Sequence, residues 1–269
     1  MQFDTDGILR FKKSWQDMYS QGIFENLTWY QCLGNHDVVK GYAGVEFETT
    51  IAPMIDSRWY FGTPGQPKLP YYTYDIQGSD WSATFVVLDS DCFIDSYQLN
   101  TSVYQNPYTA ACYQNRQQQV DFLEQAFAQS KATWKFGVWH HPFLSSAGNN
   151  TGVWPLVEIV EKYNGVMING HDHCLAHYVG NNTNYVISGA AGYPQGGDCN
   201  NGVPLGPFAK YLGANPDQAA SGFVTMDISK ESLVFEYYPR DMKYLGQDLY
   251  PVPNDVEPHY SFTVTEQSK

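Results

Sequence analysis

The sequence predicts an α/β sandwich, and three observations carry that reading. Segments with helical spacing alternate with strand-like apolar runs through the first two thirds of the chain. The later runs come as closely spaced pairs of antiparallel character. Hydrophobic residues make up 43% of the 269, enough for a substantial core without metal or disulfide staples. Charged residues are only 16%, and 21 Tyr, 15 Phe and 7 Trp are present, which excludes a disordered chain. No run reaches the roughly eighteen apolar residues of a membrane span, so a soluble globular protein is expected.

Ile8, Phe11, Trp15, Met18 and Tyr19 fall at helical spacing, predicting an amphipathic helix over 8–19. Thr28–Leu33 reads as a strand running into Gly34. Residues 38–80, rich in Tyr, Gly and Pro, read as a long connection with little regular structure. Ala83–Asp89 is a buried strand, and 91–113 a loop. A Gln-rich helix over 115–130 carries Val120, Leu123 and Phe127 on one face. Trp134–Trp139 is the next strand, and Pro155 opens a helix to Tyr163. Gly165–Asn169 is a short strand, and further strands are expected near 184–188, 222–228, 232–238 and 259–265. No internal repeat or linker interrupts the chain, which predicts one domain over 1–269.

Fifteen basic against 28 acidic residues give a net charge of −13 and a pI near 4.7. That sign repels phosphate backbones, so no nucleic-acid partner is expected. A small phosphate ester would need local positive charge, which a metal cluster supplies.

Five cysteines stand at 32, 92, 112, 174 and 199. Pairing Cys92 with Cys112, and Cys174 with Cys199, would close two loops of similar length, each worth about 3 kcal/mol. The alternative is five buried thiols in a cytosolic enzyme. Asn26, Asn100, Asn149 and Asn181 each open an N-x-S/T acceptor in a turn-like segment, which favours secretion. The first residues, MQFDTDGILRFKK, contain no apolar stretch of the signal-peptide kind.

Five of the seven histidines lie in three short motifs: Gly34-Asn35-His36-Asp37, His140-His141-Pro142 and Gly170-His171-Asp172-His173. Each follows a predicted strand at its carboxyl end, the edge where open α/β sheets bind ligands. Imidazole with amide or carboxylate oxygen is a transition-metal ligand set. Alternation around Asp172 lets His171 and His173 face the same way in an extended loop. Each motif alone also fits an ordinary polar turn; the three together point to metal.

These three motifs, in this order, resemble those of the calcineurin-like metallophosphoesterases, in particular the purple acid phosphatases of the small tartrate-resistant type. The likeness covers nearly the whole chain. It implies a four-layer α/β/β/α sandwich with mixed sheets, and a dinuclear centre of Fe(III) beside a divalent Fe, Zn or Mn. By the resemblance, Asn35, His140 and His171 bind the divalent metal and His173 the ferric ion. His36 contacts phosphate and protonates the leaving alkoxide, with Asp37 as its orienting neighbour. Two cations about 3.5–4 Å apart would clamp a phosphate and activate water.

Two motifs of that family, D-x-G and G-D-x-x-Y, have no counterpart before Gly34, and Asp4 and Asp6 stand in the wrong context to replace them. The expectation is therefore an N-terminally incomplete domain lacking the family's first strands, with Met1 internal to a longer polypeptide that carries a signal peptide and those motifs. The stretch 143–150 contains no histidine where relatives often place a substrate contact, which shifts leaving-group protonation onto His36. His141 is left open between supporting the site and simple packing. His177 and His259 read as ordinary polar residues, and Asp89 and Asp91 as loop carboxylates. The Tyr- and Pro-rich stretches 52–74 and 193–208 offer a substrate rim.

The leading expectation is a secreted, extracellular or lysosomal/vacuolar acid phosphatase acting on small phosphate monoesters. The alternatives are a related phosphodiesterase or nucleotidase, or a catalytically dead protein with a structural or binding role in a homo-oligomer or extracellular assembly.

Overall fold

The computed structural model describes residues 5–62, 69–145, 149–191, 207–213, 220–241 and 257–265. Helix α1 (Thr5–Phe11) continues as wider helical turns through Gln16, which puts Phe11 and Trp15 on one buried face. There they meet Phe47 and Trp59, with the Arg58 guanidinium over the Trp15 ring at 5.0 Å. Strands β1 (Trp29–Tyr30) and β2 (Trp59–Tyr60) pair in parallel with each other and stay outside the large sheet. The strand expected over 28–33 thus shrinks to two residues. Its continuation is tied instead by a side chain, the Tyr72 hydroxyl donating to the Gln31 carbonyl at 2.8 Å.

The stretch 38–80 is more ordered than its composition predicts. After α2 (Asn35–Val38) it holds α3 (Tyr42–Glu46), α4 (Ala52–Ile55) and strand β3 (Tyr72–Gln77). Helices of four or five residues are too short to show a period. In β3 the alternation of Tyr72, Tyr74 and Ile76 inward with Thr73, Asp75 and Gln77 outward was hidden among Tyr and Pro. Strand β4 (Ser82–Val87) is buried on both faces, as expected of its apolar run. The expected loop 91–113 ends inside α5 (Pro107–Asn115), capped by the Asn106 carboxamide, which accepts from the Tyr108 and Thr109 amides.

Helix α6 (Gln117–Gln129), strand β5 (Trp134–Val138), helix α7 (Trp154–Lys162) and strand β6 (Val166–Asn169) follow the expected order. Strand β7 (Leu175–Gly180) was not foreseen. It forms a hairpin with β8 (Thr183–Ser188) through Asn181-Asn182, both at positive φ, the mark of a two-residue turn that Asn tolerates. Strand β9 (Ala209–Leu212) was also missed. Strands β10 (Ala220–Ile228), β11 (Ser232–Asp241) and β12 (Tyr260–Thr265) lie where later strands were expected.

The large mixed sheet runs β3-β4-β5-β6-β8-β7-β9, with β4, β5, β6 and β8 parallel. One face buries Leu123, Phe127, Leu156, Val157 and Val160 of α6 and α7 against Val86, Met167 and Ile187. The other buries Phe85, Phe136 and Val166 against Leu233, Phe235 and Val264 of the antiparallel sheet β10-β11-β12. The helix–sheet–sheet stacking of the expected sandwich follows from these two apolar interfaces. Cys92 and Cys112 are joined in a disulfide, Cys174 is disulfide-bonded, and Cys32 is a free thiol. Cys199 and most of the proposed rim at 193–208 lie outside the described residues.

Candidate metal centre

The three motifs meet at the carboxyl edge of the parallel strands. His140 and His141 follow β5, and His171 follows β6. The two loops are stitched together by backbone bonds from Trp139 N–H to the Ile168 carbonyl (3.2 Å) and from Gly170 N–H to the His140 carbonyl (3.0 Å). The Asn169 carboxamide adds a bond to the Trp139 carbonyl at 2.9 Å. Asn35 arrives from the first turn of α2. Gly34 precedes it because the His140 ring lies there: a Cβ on Gly34 would come within 2.8 Å of His140 Nδ1.

Asn35 Oδ1 lies 2.9 Å from His140 Nε2, which lies 3.2 Å from His171 Nδ1. Two imidazoles and an amide thus place donor atoms at 2.9 and 3.2 Å on either side of His140 Nε2, the spacing of ligands sharing one cation, so these residues fit a divalent metal. His171 holds φ at +66°, a left-handed conformation uncommon for a residue other than glycine, and one of the kind that collects at functional sites. Burial lowers the His140 pKa to about 3, helped by the charges of His171, His36 and His173. The structure thus draws four of the motif histidines into one electrostatic neighbourhood and keeps His140 neutral, the form that binds metal.

His141 is fully buried beside them. Its Nδ1 meets Ser90 Oγ at 2.8 Å, its Nε2 meets Tyr97 Oη at 2.8 Å, and its ring lies 4.5 Å from that of His171. Burial holds its pKa well below the usual imidazole range. His36 is exposed on α2. Asp37 accepts the Gly34 N–H through Oδ2 at 2.8 Å, so one of its oxygens caps the turn that carries Asn35.

His173 is partly buried on the His171 loop. Among the described residues, the groups of three or more converging His, Cys, Asp or Glu ligands are His140–His141–His171 and Asp89–Cys92–Cys112. His173 lies in neither, and the two cysteines of the second group are spent in their disulfide.

Asp89 and Asp91, expected to be loop carboxylates, are completely buried at the end of β4, and burial raises both pKa values. Tyr108 donates its hydroxyl to Asp89. His177 is likewise buried, between Tyr260 Oη (2.8 Å) and Asn184 Oδ1 (2.9 Å), whereas His259 is exposed. The acceptor asparagines Asn26, Asn100, Asn149 and Asn181 are all exposed. Sequence reasoning missed Tyr104, whose hydroxyl accepts the Asn35 Nδ2 amide hydrogen at 2.9 Å. Nothing in residue spacing signals it.

The fold is that of a phosphatase-fold protein, and the edge of its large sheet carries a candidate imidazole–amide metal site. No protein-family model matches the chain. It is similar to purple acid phosphatase 3 of Arabidopsis thaliana, 26% identical over 243 residues, covering 85% of this chain and 59% of that protein. It is also similar to tartrate-resistant acid phosphatase type 5 of Oryctolagus cuniculus, 24% identical and covering 90% and 73%. The chain thus spans a little over half the length of the plant relative. Among solved structures, GAP50, described as the anchor in the inner membrane complex of Plasmodium, superposes with a TM-score of 0.64 at 14% identity, covering 95% of this chain and 71% of that one. That likeness shows the shared fold. No helix among the described residues is long and apolar enough to cross a membrane.

Proposed function

We propose that this chain is a metal-dependent phosphomonoesterase of the acid-phosphatase type, working in a secretory, extracellular or lysosomal/vacuolar setting. The observation that carries the reading is the convergence of Asn35 Oδ1, His140 Nε2 and His171 Nδ1 beside an exposed His36. The low-identity likeness to acid phosphatases supports it. Exposed acceptor asparagines and the Cys92–Cys112 disulfide support the compartment.

Asn35, His140 and His171 would hold a divalent Fe, Zn or Mn, which when bound supplies a Lewis acid for a phosphoryl oxygen and lowers the pKa of water. Burial holds His140 neutral, and His141 is held between Ser90 and Tyr97. His36, on the exposed side of α2, contacts the incoming phosphate and gives a proton to the leaving alkoxide. Asp37 holds the turn that presents both neighbours.

The second, ferric cation is assigned to His173 by resemblance. Because His173 lies outside the converging groups among the described residues, no step is routed through that cation. The same observation favours a second reading: a non-catalytic phosphatase-fold protein with a binding role; the GAP50 neighbour is described as an anchor.

The test is hydrolysis of p-nitrophenyl phosphate between pH 4 and 8 by protein from a secreting host, with its metal content measured. Turnover that chelation abolishes and Zn, Mn or Fe restores is the expected result. Metal-replete protein without turnover would establish the non-catalytic reading. Preference for bis(p-nitrophenyl) phosphate would move the assignment to a phosphodiesterase.

A further inference from the structure

Metal ligation by an asparagine demands a particular face of a nearly symmetrical group. Oxygen and nitrogen occupy equivalent positions on the carboxamide, and only the oxygen can bind a cation, so whatever fixes the rotation about the last bond fixes the ligand. Around Asn35 the Tyr97 and Tyr104 hydroxyls both bond the side chain, and Tyr104 holds the amide nitrogen of Asn35. Its Nδ2 donates to Tyr104 Oη at 2.9 Å, and its Oδ1 is thereby turned toward His140.

Tyr104 is itself firmly placed. Its carbonyl accepts from Thr109 Oγ1 (2.8 Å) and Asn106 Nδ2 (3.0 Å), and the same Asn106 amide reaches the Val38 carbonyl at the end of α2 (2.9 Å). Gly41, at φ +60°, makes room there: a Cβ on it would sit 3.1 Å from Asn106 Oδ1. The Tyr104 ring packs at a tilt against Tyr97, 4.5 Å between centroids, and Tyr97 holds His141. The ring also faces His36 edge-on at 6.3 Å. Tyr97, Tyr104, Asn106 and Thr109 all lie on the segment closed by the Cys92–Cys112 disulfide.

We infer that Tyr104 is a positioning residue that sets the Asn35 amide for metal binding, and that the disulfide-closed segment exists to deliver it. The inference rests on the metal reading proposed above. It extends that reading to a residue that neither ligates nor touches substrate through any motif.

The experiment is calorimetric titration of the metal-free full chain with Zn²⁺, comparing wild type, Tyr104→Phe, Asn35→Asp and the double variant. Tyr104→Phe removes only the hydroxyl and is expected to weaken Zn²⁺ binding about 10–100-fold, the range for residues that orient a metal ligand. An aspartate presents oxygen whichever way it rotates, so in the Asn35→Asp background the same change is expected to cost nothing further. A tyrosine that merely packs would lower the melting temperature of the metal-free protein and leave the affinity of the folded protein alone. Unchanged affinity in Tyr104→Phe, or an equal loss in both backgrounds, overturns the inference. Wild-type protein that takes up no Zn²⁺ overturns the metal reading and this inference together.

Discussion

The two halves of the metal pocket are held by different means. His140, His141 and His171 extend from β5 and β6, the centre of a sheet covered on both faces, and their loops share backbone hydrogen bonds. Asn35 and His36 ride on a four-residue helix that follows a two-residue strand; Leu33 and Val38 beside them pack with Tyr72 and Val87 at one edge of the sheet, while Phe11 and Trp15 further up the chain form a separate aromatic cluster. The first half inherits rigidity from the core. The second is secured to it through the packing of Leu33 and Val38, through Tyr104 and Asn106, and through the Asn35–His140 contact. A site can thus be half scaffold and half docked segment, and substitutions on the two sides should differ in kind.

The largest effect is expected from His140→Ala, which removes the ligand shared by both halves. Metal uptake, measured by elemental analysis, should be lost and turnover with it. His36→Ala should leave metal uptake intact while kcat for an alkyl phosphate falls by about 10²–10⁴, the contribution of a general acid. An aryl phosphate, whose leaving group needs less protonation, should suffer less. Equal losses on both substrates would argue against the proton-donor role.

Packing changes sharpen the contrast. Phe136→Ala, within the large sheet, should lower global stability by about 3–5 kcal/mol in urea unfolding. Trp15→Ala should act mainly on its own region, seen as faster amide exchange over 5–62 with β4, β5 and β6 still protected. Uniform exchange across both regions would show that they open as one unit.

A smaller effect follows from the Cys92–Cys112 bridge. Replacing both cysteines by serine should cost about 3 kcal/mol by the chain-entropy account. It should also weaken metal binding, because the closed segment carries Tyr104.

A pH dependence, at most as large as the effect of the disulfide, comes last. Burial lowers His177 to about 4, below its unfolded value near 6.5. The unfolded chain therefore binds the extra proton between those values, and stability falls as pH drops from about 6.5 to 4, by up to about 3 kcal/mol. His177→Gln should flatten that part of the stability–pH curve. An unchanged slope would place the titration elsewhere.

The sequence revealed the scaffold half better than the docked half. Trp134–Val138 and Val166–Asn169 are apolar runs that only a covered sheet explains, so the strands bearing His140 and His171 were visible as such. The Gln-rich helix was legible from Leu123 and Phe127. Region 38–80 was not, because α3 and α4 are too short to carry a period and β3's alternation is written in tyrosines. Strand β7 was missed because Asn181-Asn182, read as a glycosylation acceptor in a turn-like segment, was not recognised as the two-residue turn of a hairpin. Asp89 and Asp91 misled for a different reason: their burial depends on α5 and α6, whose Tyr108 and Gln119 bond Asp89 from elsewhere in the chain. Tyr104 lies 69 positions from Asn35, and only the fold brings them together.

The most direct test of the account is anomalous diffraction from crystals of the protein grown with Zn²⁺ or Mn²⁺. The account predicts a peak bonded to Asn35 Oδ1, His140 Nε2 and His171 Nδ1, at about 2.0–2.2 Å for zinc. No peak among those three atoms at saturating metal, or a peak only elsewhere in the molecule, would contradict it.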